Sequence, residues 1–347
     1  MEPKVREKFN QKEITTMKTR NLFMNILRVF IALLLAGTVA PAATIEVIET
    51  FDYPGPGNLT LPQKINDTRV VVGIVVDAAG VTRGFLRNRN GVFSDAWVEP
   101  NDTGNFTTGR GINNSRLVCG EYLNGADGTF HGYFRRAHAN FIEFDITDAT
   151  NTIPLGINNA GDFVGTAIFT DGSQPAFVSL DENITLFSVP DATATLAYSI
   201  NASEQSVGYY VDAAAVLHGY LRDSDGTLTF PIDPPDSVGT VLFGNNDSNW
   251  VVGRWADSAG VTHGLFFITP DDFVTFDYPG SAFTSLNGIN QAGYICGRYV
   301  DAAGIAHGFL AKVNFSETAN SNRTNLPAPV KPVRPTLEAS RPGAPAF

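Results

Sequence analysis

The stretch Thr284–Leu310, TSLNGINQAGYICGRYVDAAGIAHGFL, decides the fold. It carries a threonine and an asparagine six residues apart, Thr284 and Asn290. A glycine follows seven residues later at Gly297, and a second at Gly308. The same markers recur along the chain. The pairs are Thr60/Asn66, Thr107/Asn113, Thr152/Asn158, Thr195/Asn201, Thr240/Asn246 and Thr284/Asn290. The marker glycines are Gly73, Gly120, Gly165, Gly208, Gly253 and Gly297, at steps of 47, 45, 43, 45 and 44 residues. Gly84, Gly132, Ala176, Gly219, Gly264 and Gly308 form the second small-residue column.

Within the unit, Tyr294–Val300, Ile305–Leu310 and Phe273–Tyr278 are short, aromatic and β-branched, and are bounded by Gly, Asp and Pro. These are strand signals separated by turn signals. Thr284–Ile289 is a fourth strand candidate. Four short strands in about 45 residues, with no helical periodicity, predict one propeller blade per unit. The last unit lacks the FDYPG strand seen at Phe276–Gly280, while an unmatched FDYPG strand stands at Phe51–Gly55, ahead of the first unit. Joining the two completes an all-β, six-bladed β-propeller with four-stranded blades, closed by pairing of the N-terminal strand with the last repeat. Such a ring leaves no edge strand facing solvent at the seam.

The IN–G–VVG–D–G–HGF spacing resembles the secreted HAF-type repeats, with the His-small-aromatic or aliphatic element at His131-Gly132-Tyr133, His218-Gly219-Tyr220, His263-Gly264-Leu265 and His307-Gly308-Phe309. Arg83 and Pro175 depart from it. The resemblance covers nearly all of Thr44 to Val313 and implies an extracellular repeat protein without implying an activity.

Three regions are expected. Residues 1–42 read as a signal peptide, which implies a secreted, extracellular or periplasmic protein: Lys18, Arg20 and Arg28, then the apolar run Phe30–Val39, then Ala40-Pro41-Ala42. Met17 is an alternative start to Met1. The run is shorter than the roughly 20 apolar residues of a spanning helix. Residues 43–313 form the propeller, and 314–347 a Pro-rich disordered tail.

Of the 24 Lys/Arg and 35 Asp/Glu, seven and three lie in residues 1–42, leaving 17 and 32 and a formal charge of −15. A chain so acidic is a poor partner for nucleic acid or an anionic membrane. No stable membrane insertion is expected once the leader is removed, and the protein is expected to act as a monomer. Cys119 and Cys296 fill the same repeat position, in blades two apart. That separation exceeds the ~7 Å a disulfide tolerates, so both read as small core hydrophobes.

The candidate functional residues come from positions that vary between repeats. Three residues before each asparagine stand Gln63, Arg110, Leu155, Tyr198, Phe243 and Asn287. If this strand is innermost, the position reaches the axis. One residue after each marker glycine stand Ile74, Glu121, Thr166, Tyr209, Arg254 and Arg298, a position that either faces water or has been diversified for binding. The ligand-binding candidates are therefore Arg110, Tyr198, Asn287, Glu121, Tyr209, Arg254 and Arg298. Two residues after the glycine, the mostly large Val75, Tyr122, Ala167, Tyr210, Trp255 and Tyr299 should fill the space between blades.

Repeated groups point to structure, because one active site needs each group once. The asparagines suit an Asx-type turn, and four of the five histidines occupy one repeat position, with His138 off the pattern. Asp77, Asp212, Asp257 and Asp301, with Asp52, Asp145, Asp233 and Asp277, should line one face of the ring. A Ca²⁺ ion on that face is the one cofactor the sequence suggests, although no segment matches a dense calcium loop. No nucleophile elbow, Walker loop or metalloprotease His pair is present. The leading expectation is a non-catalytic module binding a carbohydrate or an extracellular protein. The alternatives are a propeller enzyme acting on extracellular polysaccharide, lyase- or glycosidase-like, and a structural surface protein without a discrete ligand.

Overall fold

A computed structural model of the chain describes residues 43–136 and 140–315. The expected signal peptide, His138 and all but the first two residues of the expected tail lie outside the described residues. The described chain is all β and forms a six-bladed β-propeller of antiparallel sheets. Its innermost strands are Leu59–Ile65, Gly111–Ile112, Ala149–Ile157, Ala194–Ile200, Gly239–Asn245 and Thr284–Ile289.

The seam forms as the repeat count requires. Ala43–Phe51 is the outer strand of the last blade, antiparallel to Ala306–Phe315, with Ala43 opposite Phe315 and Phe51 opposite Gly308. The strand reaches two residues past the expected boundary at 313, because Asn314 and Phe315 still find partners in Thr44 and Ala43. Blade one departs from the four-strand pattern. Its regular sheet has three strands, and the outer place is taken by an irregular segment bridged only at Arg87–Phe93 and Gly84–Trp97.

The repeated residues lock the ring. Each asparagine Oδ1 accepts the backbone N–H groups two and four residues on, as Asn246 does from Ser248 and Trp250 at 3.0 and 3.1 Å. That is the Asx turn the sequence predicts. Its Nδ2 does more: it donates to the asparagine carbonyl of the next blade. The chain of bonds runs Asn66, Asn113, Asn158, Asn201, Asn246, Asn290 and back to Asn66, at 3.0–3.2 Å. The circle is closed across the seam and satisfies six buried amides. The threonines fix the opposite end. Thr60, Thr152, Thr195 and Thr284 accept the N–H of Tyr53, Ile146, Val189 and Tyr278, each in the turn that enters the blade.

Marker glycines are required by close approach. A Cβ on Gly208 would lie 1.9 Å from the Leu196 carbonyl oxygen, and one on Gly120 2.1 Å from that of Thr108. Cys119 and Cys296 are free and fully buried, and burial pushes both thiols up to about 12.

The histidines are structural in the way their repetition suggests. His218 bridges Asp233 and Asp212, His263 bridges Asp277 and Asp257, and His307 bridges Asp52 and Asp301, each Nδ1 contact at 2.6–2.9 Å. The same rings stack on Tyr210, Trp255 and Tyr299. In blade one Arg83 replaces the histidine and keeps the contact, 2.6 Å from Asp77. Both families of aspartate thus share one face.

Candidate functional site

One detail of the inner strands builds the axial site. Each carries one residue more than its partner strand, a β-bulge, and the extra residue is always three before the asparagine. Gln63, Leu155, Tyr198, Phe243 and Asn287 are skipped in the register of their sheets. In blade two, four steps from Thr107 to Gly111 oppose three from Tyr122 to Cys119, which leaves the same excess around Arg110. A bulge re-aims a side chain out of the pleat. Here it sends the most variable column of the repeat toward the axis.

The residues one past the marker glycines meet this column from the second strands. Arg110 binds Glu121 through Nε and Nη2, at 3.0 and 2.6 Å. Glu121 is 2% exposed, so its charge is committed to that arginine. Burial acts to lower the Arg110 pKa, but the Glu121 charge outweighs it and raises the value. Tyr198 stacks on Tyr209, ring centroids 5.8 Å apart, and meets the edge of Phe243 at 5.0 Å. Burial pushes both tyrosine hydroxyls up from the ordinary phenol range. Arg254 lies over Phe243 and over Phe283, 5.5 Å to each centroid, and Arg298 lies over Phe283 at 5.2 Å. Burial, with Arg254 and Arg110 nearby, pushes Arg298 down to about 10.

Below this wall the channel narrows. The residue after each bulge is Lys64, Gly111, Gly156, Ser199, Gly244 or Gly288, and a Cβ added to these glycines would touch the neighbouring blade's backbone. Lys64 is the single long side chain in the column. It donates to the Asn287 carbonyl at 3.4 Å and reaches to 5.8 Å from the Tyr198 ring on the opposite blade. Burial pushes its ammonium down to about 8. Beyond it, the asparagine circle encloses a recess of about 70 Å³ at the other mouth.

The seven sequence candidates therefore converge, with different parts. Tyr198, Tyr209, Arg254 and Arg298 are half-buried around the axis. Glu121 orients Arg110. Asn287 is turned into the wall: it is 5% exposed, its Nδ2 donates to the Pro62 carbonyl at 2.6 Å, and its Oδ1 accepts from Ser285. Phe283 and Lys64 complete the site, although variation at the two chosen columns does not reveal them. The aspartate face is differently engaged. Oδ1 of Asp77, Asp212, Asp257 and Asp301 accepts turn N–H groups, and Oδ2 contacts His or Arg. Among the described residues, no group of three or more His, Cys, Asp or Glu is placed to hold a metal ion.

No family model matches the chain, and no curated protein matches it in sequence. Solved structures resemble it in fold. AofleA from Arthrobotrys oligospora is 9% identical, with a TM-score of 0.52 over 80% of this chain and 90% of that one. A six-bladed fungal lectin from Aleuria aurantia, with a fucose recognition mode, is 9% identical, with a TM-score of 0.47 over 76% and 96%. TolB from Acinetobacter baumannii is 9% identical, with a TM-score of 0.48 over 71% and 65%. At these identities the likeness concerns the fold alone.

Proposed function

We propose that this protein is a secreted, non-catalytic β-propeller that binds carbohydrate at its axial channel. The carrying observation is the wall formed by Tyr198, Tyr209, Phe243 and Phe283, where ring faces stand beside the donors of Arg254 and Arg298. Aromatic faces with a few oriented polar groups suit a sugar, which has apolar C–H faces and a rim of hydroxyls. The leader at residues 1–42 and the resemblance to HAF-type repeats support an extracellular setting. The six-bladed fold is common to binding proteins and enzymes, so the site carries the reading.

A polysaccharide-cleaving enzyme would also place polar groups at the channel mouth. The groups divide: burial brings Lys64 down to about 8, the range of a catalytic lysine, and its ammonium is tied to the Asn287 carbonyl, while the tyrosines and Glu121 favour binding. Burial raises the Tyr198 and Tyr209 pKa values and keeps both phenols protonated, and Glu121 is held by Arg110. Neither type of group is poised as a base.

The test is a glycan and polysaccharide array probed with the chain lacking residues 1–42, in calcium and again in chelator. Retention of a saccharide that is lost in Tyr209→Ala supports the axial reading. Retention only in calcium would place a cation in the complex. A blank array under both conditions overturns carbohydrate binding.

A further inference from the structure

The axial wall reverses the charge balance of the chain. The sequence holds 35 acidic against 24 basic residues. Yet Lys64, Arg110, Arg254 and Arg298 converge on the axis, and Glu121 is the one carboxylate paired with any of them among the described residues. Glu121 neutralises Arg110. Arg254 and Arg298 make no ion pair among the described residues and are held by ring faces instead, both against Phe283. The buried Nε of Arg298 has no hydrogen-bond partner.

A guanidinium resting on a ring keeps its in-plane N–H donors available, and those donors match an oxyanion in a two-pronged contact. Holding such charges half-buried without a counter-charge is costly in the empty protein. Their mutual repulsion adds to that cost: Arg254 and Arg110 both act to lower the Arg298 pKa, and Arg110 acts on Lys64 in the same direction. An anion entering the recess relieves both. The neighbouring Tyr209 and Phe243 rings give the body of the same ligand an apolar face. The carboxylates of the surrounding face make a long polyanion a poor fit and favour one acidic group at a chain end or on a small sugar.

Resting on the axial-binding reading above, we propose that the channel takes an acidic sugar, with its oxyanion held by Arg254 and Arg298 and its ring against Tyr209 and Phe243. A uronate carboxylate and a sugar sulfate ester share this chemistry.

The experiment is titration calorimetry of the chain from residue 43 at pH 7. The probes are D-glucuronate and D-galacturonate, their neutral parents glucose and galactose, galactose 6-sulfate, and acetate and inorganic sulfate. The variants are Arg254→Gln/Arg298→Gln and the conservative Arg298→Lys, each checked by thermal melting for a folded propeller. The expected result is binding of an acidic sugar about 10- to 100-fold tighter than its neutral parent, the range of a lost charge-assisted contact. The double glutamine variant should abolish that preference, and Arg298→Lys should keep part of it. Preference for uronate or for the sulfated sugar tells which oxyanion is the source. Neutral parents binding as tightly as the acids would overturn this inference and leave the axial sugar site standing. Acetate or sulfate binding as tightly as the acid sugars would overturn the sugar component. No binding of any probe would overturn this inference, while the array result decides the axial-binding reading separately.

Discussion

Tyr198 and Tyr209 lie almost face to face, ring centroids 5.8 Å apart and planes inclined by 30°. The bulge delivers the first to the axis, and the alternation of the second strand delivers the other. Arg110 and Glu121 repeat the relationship in blade two with opposite charges in place of rings. The same backbone device thus presents different chemistry in each blade, as a binding channel needs and a purely structural ring does not. Tyr209→Leu keeps bulk but removes the flat face. Affinity for a sugar retained on the array should fall about 2- to 10-fold, with the melting temperature little changed. Titration calorimetry beside a thermal melt separates the two effects.

The asparagine circle is a run of hydrogen bonds that links all six blades. Asn246→Ala removes the bond to the Asn290 carbonyl and the two caps on Ser248 and Trp250. The loss should be about 2–4 kcal/mol in urea unfolding, since buried groups on both blades lose their partners. Asn246→Asp keeps the caps but sets a buried carboxylate oxygen against the Asn290 carbonyl, so near neutral pH it should destabilise at least as much as alanine and recover part of the loss on acidification.

Ala215 stands in a turn where the equivalent blades use glycine. Its φ is +64°, against +82° to +84° at Gly80, Gly260 and Gly304. A Cβ in this region is strained by about 1–2 kcal/mol, partly offset by the greater freedom glycine has when unfolded. Ala215→Gly should therefore stabilise the protein by roughly 0.5–1 kcal/mol, read as a shift in the urea midpoint. No gain would mean that the turn relaxes around the methyl.

His218 and His307 link protonation to stability. Burial lowers their pKa values, but hydrogen bonds and charge from Asp233 with Asp212, and from Asp52 with Asp301, outweigh it and raise them above 6.5. A base with a raised folded pKa contributes stability fully below its unfolded value of 6.5, and loses it as pH climbs through the folded value. Asp212 and Asp301 are lowered, first by turn N–H groups and then by the histidines, so their contribution is lost as pH falls through their folded values. Melting profiles of wild type and His307→Gln should differ most below the unfolded value of 6.5, and the difference should shrink as pH rises above it. The groups are solvent-screened, so the difference is small.

Lys64 runs the opposite way. Its folded value of about 8 lies below the ordinary 10.5. Burial is the main cause and Arg110 adds to it, while Cys296 and Cys119 act to raise the value. Between those two values the unfolded chain binds more protons, so this residue makes stability rise with pH across that window. Lys64→Met should raise the melting temperature at pH 7 and flatten the rise between pH 8 and 10. A variant less stable than wild type at pH 7 would show that the Asn287 carbonyl compensates the charge.

The architecture was legible because six copies carry the same residues under the same constraints. The aligned Thr, Asn and Gly columns mark a turn, a cap and a close approach that every blade needs. The site was legible only as variation against that background. The column holding Tyr198 and Arg110 stood out, but the bulge that turns it inward is a register feature with no local residue signature. Asn287 looked like its neighbours in that column and is instead bonded into the wall. Lys64 left a signal, the one long side chain among Gly111, Gly156, Ser199, Gly244 and Gly288, readable once the strand is known to be innermost. Phe283 stands directly before its repeat threonine, where the other blades carry Leu59, Phe106, Asn151, Ala194 and Gly239, a third variable column that the two chosen ones leave out.

The central claim is that ligand enters the axis. Hydrogen exchange with mass spectrometry, run with and without a saturating sugar from the array, tests it most directly. Protection should concentrate at 194–211, 239–256 and 281–298. Protection confined to the groove between blades two and three, around Phe134, Phe163 and Ile184, would contradict it.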